Sequence, residues 1–171
     1  GVSQISPAAT LNLRVDFESL APISENLIAR CHIKSRHSKA VLLTVEVETS
    51  SGRPIAFGSA MFTQLKFPGE TTNFSMAQLN DFYPDPQINS YEEAIGLAPS
   101  LNGWCLTGNH LGAVGWEPAY TYHGGALASL LMAAVNSALE LEQGSKRIVS
   151  FNTTYLRGSR ADQKMEASCT P

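Results

Sequence analysis

Tyr122-His123-Gly124-Gly125 stands directly before the longest apolar stretch of the chain. Read as a helix start, this is where chemistry can happen. The first N–H groups of a helix have no intrahelical partner and lie at the positive end of its dipole. Glycine lets another group approach the backbone closely. Gly124 and Gly125 therefore suit a carbonyl oxygen that gains negative charge during attack. They equally suit a simple bend admitting the chain into a buried helix, and the residues alone leave both readings open. Farther along, Ser129, Met132 and Asn136 are spaced to share one helix face. Ser129 and Asn136 either orient a water there or relieve a tight helix–sheet contact.

The element carrying these residues is predicted to run from His123 to about Glu142, with Gly144 as its stop. Ala126, Leu130, Leu131, Ala134, Val135 and Leu141 spread over most of its circumference, which predicts a buried helix. About 19 residues span roughly 28 Å. Upstream, Leu11, Leu13, Val15 and Phe17 alternate with polar residues, as do Val41, Leu43, Val45 and Val47. With Ser51-Gly52 as a turn, residues 11–65 read as a four-strand antiparallel meander without a helix. The next stretch is broken by Pro68, Pro84, Pro86 and Pro99 and reads as a linker, with a short helix around Tyr91–Leu97. The fold class is therefore α+β: a curved antiparallel sheet wrapped around one long buried helix.

Composition narrows the partners. Apolar residues are 43% of the chain and charged residues 16%, enough for a core and against disorder. A net charge of −3 without a dense Lys/Arg run argues against nucleic acid. No apolar run approaches the ~20 residues of a membrane span. Three cysteines outside any metal-ligand spacing fit a reducing, cytoplasmic setting.

Two segments resemble each other at an offset of 138 residues. Leu11, Leu13, Val15 and Phe17 correspond to Val149, Phe151, Thr153 and Tyr155, and Leu27, Ala29 and Cys31 to Met165, Ala167 and Cys169. The parity of the strand pattern is kept, as a duplicated strand with one buried face requires. Any two amphipathic strands can align this well, so pattern alone leaves duplication undecided.

The run Tyr122-His123-Gly124-Gly125-Ala126-Leu127-Ala128-Ser129 resembles the His-Gly-Gly helix start of the hotdog-fold thioesterase superfamily. Phe151-Asn152-Thr153-Thr154-Tyr155-Leu156-Arg157-Gly158 resembles the strand that follows that helix, with Gly158 where a proline is usual. The resemblance covers about residues 10–66 and 103–171. It implies that residues 10–66 are the back half of one hotdog unit (four strands), 67–102 a linker, and 103–171 the front half of a unit (strand, central helix, strands). This is the middle of a double-hotdog acyl-CoA thioesterase, or else a circular permutation of one hotdog. Either way the two halves are expected to dock.

The function the resemblance implies is hydrolysis of acyl-CoA or a related thioester by water, with the carbonyl polarised at the helix start. Gly124 is then the main donor, Gly125 its neighbour, and His123 shapes the turn. Ser129, Met132, Tyr155 and Arg157 would line the substrate, Arg157 near a CoA phosphate, although a surface arginine is as good a reading. The family often carries an Asp or Glu nine residues after the histidine, and here that residue is Met132. Asn136 can orient a water but cannot take its proton. The alternative is a non-catalytic acyl-thioester-binding or scaffolding half. The resemblance implies no cofactor beyond the CoA of the substrate and no metal, and it implies a homo-oligomer. A hydratase reading is weak, because Asp85-Pro86-Gln87-Ile88-Asn89-Ser90 lacks that class's histidine. His32 and His37 read as exposed, and His110, Glu140 and Glu142 carry no assigned role.

Overall fold

The computed structural model describes residues 8–22, 24–64, 90–107, 115–116, 121–139, 147–160 and 162–170. Their elements are β1 (Ala8–Phe17), β2 (Leu27–Arg36), β3 (Ala40–Thr49), β4 (Pro54–Gln64), α1 (Tyr91–Ile95), β5 (Leu97–Ser100), β6 (Gly103–Leu106), β7 (Gly115–Trp116), β8 (Thr121–Tyr122), α2 (Gly124–Ala138), β9 (Ser150–Thr154) and β10 (Met165–Ala167). The chain divides into two compact units. One holds Ser6–Phe67 with Arg147–Leu156, and the other the remaining residues. His110, Asp85 to Asn89, Glu140, Glu142 and Gly144 lie outside the described residues. No helix among the described residues is long and apolar enough to cross a membrane.

The first unit is a five-stranded antiparallel sheet in the order β2-β3-β4-β1-β9. The expected meander is only partly present. β2, β3 and β4 follow one another through tight turns, but β1 pairs with β4 rather than β2. Period-2 alternation fixes which face a strand buries and not which neighbour it takes. Short connections make hairpins, and the longer one from Phe17 to Leu27 does not. The ladders keep polarity consistent across the sheet. Phe151, Val15, Gly58, Val45 and Cys31 lie in one row, while Asn152, Arg14, Ser59, Thr44 and His32 form a row on the opposite face. Residues 30–39 of this unit hold Arg30, Lys34, Arg36 and Lys39 with no acid among them, and Arg30 is ion-paired with Glu48 of β3.

The β1–β9 pairing carries its own symmetry. Arg14 lies opposite Asn152, the residue 138 positions on. On either side, Val15 faces Phe151 and Leu13 faces Thr153, so each pair is the other with its members exchanged. The outermost bonds behave likewise: Phe17 N–H donates to Val149 O and Tyr155 N–H to Leu11 O, both at 2.9 Å. So do the side chains. Asn12 Nδ2 donates to Thr154 Oγ1 at 3.3 Å, and Ser150 Oγ to Asp16 Oδ1 at 2.6 Å.

The second unit is built on the three-stranded sheet β10-β6-β5. The stretch read as a linker ends earlier than expected, because α1 and β5 occupy residues 91–100. Ser90 Oγ caps α1 by accepting from Glu93 N–H at 3.1 Å, and Gly96 closes it in the left-handed conformation. These elements belong to the core: Ile95, Leu97, Leu106, Tyr122, Ala126 and Leu130 form one buried cluster, with Trp104, Met165 and Ala167 packed against it. Gly103, at φ +144°, is required, since a Cβ there would stand 2.4 Å from the Ala167 carbonyl oxygen.

Candidate active site

Helix α2 starts where the sequence predicts. His123 is its N-cap in extended conformation, and the first intrahelical bond runs from Leu127 N–H to His123 O at 3.2 Å. The N–H groups of Gly124, Gly125 and Ala126 therefore precede the helical ladder. The His123 side chain makes no cap hydrogen bond. Helix α2 ends at Ala138 with Leu139 as C-cap, earlier than the predicted Glu142. It is also less enclosed than its composition implies: Ala126, Ala128, Leu130 and Ala134 are buried, whereas Leu131 is 39% exposed.

The two glycines are not explained by backbone strain. The positive-φ glycines described are Gly52, Gly96 and Gly103, not this pair. Among the described residues, nothing lies within 4 Å of a Cβ built on Gly125. Gly125 is exposed at the helix start.

From Gly125, a stripe of Ser129, Met132 and Asn136 follows the helix, all three half-buried. Ser129 Oγ donates to Gly125 O at 3.1 Å and lies 2.7 Å from Tyr91 Oη. Tyr91 was missed in the sequence, and no periodic signal could have found it. It sits 38 residues away on a helix of five residues. Behind the stripe, Tyr122 holds β6 and the approach to β10 together: its hydroxyl lies 3.3 Å from Leu106 O and 3.2 Å from Gln163 O. Burial raises the pKa of its phenol, so it stays protonated and donating.

The other expected site residues are described within their own units. Tyr155 belongs to the unit of the five-stranded sheet, and burial raises its pKa too. Arg157 is exposed, as are His32 and His37. Trp104 packs on the core. Among the described residues no group of three or more His, Cys, Asp or Glu is placed to hold a metal. The three cysteines are free thiols.

No protein-family model matches the chain, and no curated protein sequence matches it either. Solved structures do. An acyl-ACP thioesterase from Bacteroides thetaiotaomicron superposes with a TM-score of 0.57 at 12% identity, over 92% of this chain and 63% of that one. A 12:0-ACP thioesterase from Umbellularia californica gives 0.52 at 14% identity, over 94% of this chain and 64% of that one. The fold is that of the hotdog thioesterases. The chain spans less than two thirds of the length of these two hotdog proteins. Its antiparallel strands and one longer helix agree with the expected hotdog class.

Proposed function

We propose that the protein is a thioesterase-type hotdog hydrolase acting on acyl-CoA or a related acyl thioester, with the carbonyl held at the start of α2. The observation that supports this reading most is at the helix start: Gly125 has a helical backbone, and a Cβ built there meets nothing described, so that glycine has no described packing reason. The thioester carbonyl accepts from the Gly124 and Gly125 N–H groups, which stabilise the charge it gains. Water adds to the carbonyl carbon, the C–S bond breaks, and the thiol leaves as the acid forms. His123 shapes the entry, and Asn136 orients the water. Ser129, held by Tyr91, and Met132 line the acyl group. Neither Met132 nor Asn136 can take the proton of the attacking water, so the base is a residue off this helix face. The setting is cytoplasmic and the assembly a homo-oligomer.

Met132 supports a second reading, a hotdog half that binds an acyl thioester without cleaving it. A panel of acyl-CoA substrates with free-thiol detection separates the two. Turnover is expected on at least one substrate, reduced by about 100-fold in Gly125→Ala, whose Cβ would stand where the carbonyl approaches the backbone. Gly125→Ala keeps the fold, since a Cβ there meets nothing described. Met132→Asp is expected to raise turnover. Ligand binding without turnover in the parent and in Met132→Asp establishes the binding reading instead.

A further inference from the structure

Tyr91 and Ser129 form a hydrogen-bonded pair whose direction the geometry fixes. A serine hydroxyl has one hydrogen, and Ser129 donates it to the Gly125 carbonyl oxygen at 3.1 Å. Across the 2.7 Å contact between the two hydroxyls, Tyr91 is therefore the donor. Its phenol oxygen has spent its hydrogen and keeps a lone pair to accept with. Tyr91 is nevertheless 60% exposed. It is also anchored from behind. Tyr91 opens α1, which Ser90 caps and Gly96 closes, and Ile95 at the far end of α1 is buried with Ala126 and Leu130 of α2. The result is a hydrogen-bond acceptor fixed at the solvent rim of α2.

We propose that Tyr91 is a substrate-binding residue whose phenol oxygen accepts a hydrogen bond from the amide N–H of the CoA thiol arm. The inference rests on the thioesterase reading above and adds how the leaving group is seated. With the carbonyl at the Gly124 and Gly125 N–H groups, Ser129 stands one helical turn from Gly125, roughly 5–6 Å along the axis. In an acyl-CoA the N–H nearest the thioester lies in the thiol arm, two methylene groups beyond sulfur, which is a similar span. Gly125 and Tyr91 are both exposed, so the arm can run out to solvent past them. A phenol with a free hydrogen would take a donor or an acceptor alike. Ser129 removes that choice by engaging the hydrogen, and what remains suits an N–H.

The test places one acyl group, the one turned over best as its CoA thioester, on three thiols: CoA, N-acetylcysteamine and ethanethiol. The first two carry the amide N–H and the third has no donor. Tyr91→Phe keeps the ring and removes the acceptor. On the first two esters it is expected to raise KM about three- to ten-fold with little change in kcat, as when one hydrogen bond made equally in ground and transition states is lost. On the ethyl ester the variant and the parent should converge. Ser129→Ala, which releases the phenol hydrogen, should show a smaller KM rise on the same two esters. If the parent binds without turnover, the same ratios are read as Kd. An equal rise on all three esters, or none on any, overturns the inference and leaves the thioesterase reading standing. A parent that neither cleaves nor binds any of the three defeats that reading, and the inference with it.

Discussion

Leu27-Ile28-Ala29 and Met165-Glu166-Ala167 align at an offset of 138 residues, and the protein treats them differently. Met165 and Ala167 are packed against a core that includes Leu106 and Leu130. Leu27 and Ala29 lie largely in solvent at the end of a sheet. The cysteine that follows each shows the same contrast, Cys31 exposed and Cys169 partly covered. Apolar alternation encodes a face that can be buried. Whether it is buried depends on a strand and a helix arriving from elsewhere.

The largest test of this contrast is a pair of truncations. Leu106 is fully buried, so Leu106→Ala is expected to cost about 2–5 kcal/mol. Leu27→Ala, half exposed, should cost about 0.5 kcal/mol. Urea unfolding followed by circular dichroism gives both values. A Leu27→Ala cost near that of Leu106→Ala would mean that β2 is covered in solution and that the contrast does not hold there.

Next in size is the contact that covers β10. Gly103 sits in β6 at a positive φ, with the Ala167 carbonyl where a side chain would begin. Gly103→Ala is expected to cost about 1–3 kcal/mol from backbone conformation, with the clash added. It should also speed hydrogen exchange at Met165–Ala167 while leaving β2 exchange unchanged. A tolerated alanine at this position would show that β6 does not press on β10 as closely as the geometry requires.

What the sequence made legible follows the same division between local and remote causes. The strands of residues 8–64 and the start of α2 were readable because alternation and a glycine pair are local signals. The place of β1 beside β4 was not, because nothing near Phe17 states which strand waits for it. The short helix expected around Tyr91–Leu97 is α1, but β5 was hidden in a proline-rich stretch. Elements of four or five residues carry no full period, and Ile95 and Leu97 show themselves as core only once packed. At the site, the stripe of Ser129, Met132 and Asn136 was visible at helical spacing. Its partner Tyr91 was not, and neither was the membership of Tyr155 in the other unit. The 138-residue offset was visible in the pattern, which leaves duplication undecided.

The β1–β9 register offers the smallest and most selective test. The side-chain contacts flanking Arg14 and Asn152 are equivalent in position but not in chemistry. One joins Asn12 to Thr154, both neutral. The other joins Ser150 to Asp16, which also accepts from Arg14 Nε at 2.8 Å. Hydrogen bonds from Arg14 and then Ser150 hold the Asp16 pKa below its unperturbed 3.8. A carboxyl depressed on folding adds stability that is complete above its unfolded value and is lost as pH falls through the folded one. Acidification below about pH 4 should therefore weaken the Asp16 side of the β1–β9 seam and spare the Asn12 side. Hydrogen exchange at Phe17 is expected to quicken before exchange at Tyr155, although their backbone bonds are equivalent. Asp16→Asn should remove that difference at every pH. Equal response at both ends in the parent protein would show that the ion pair adds nothing to the seam, as exposed pairs often do.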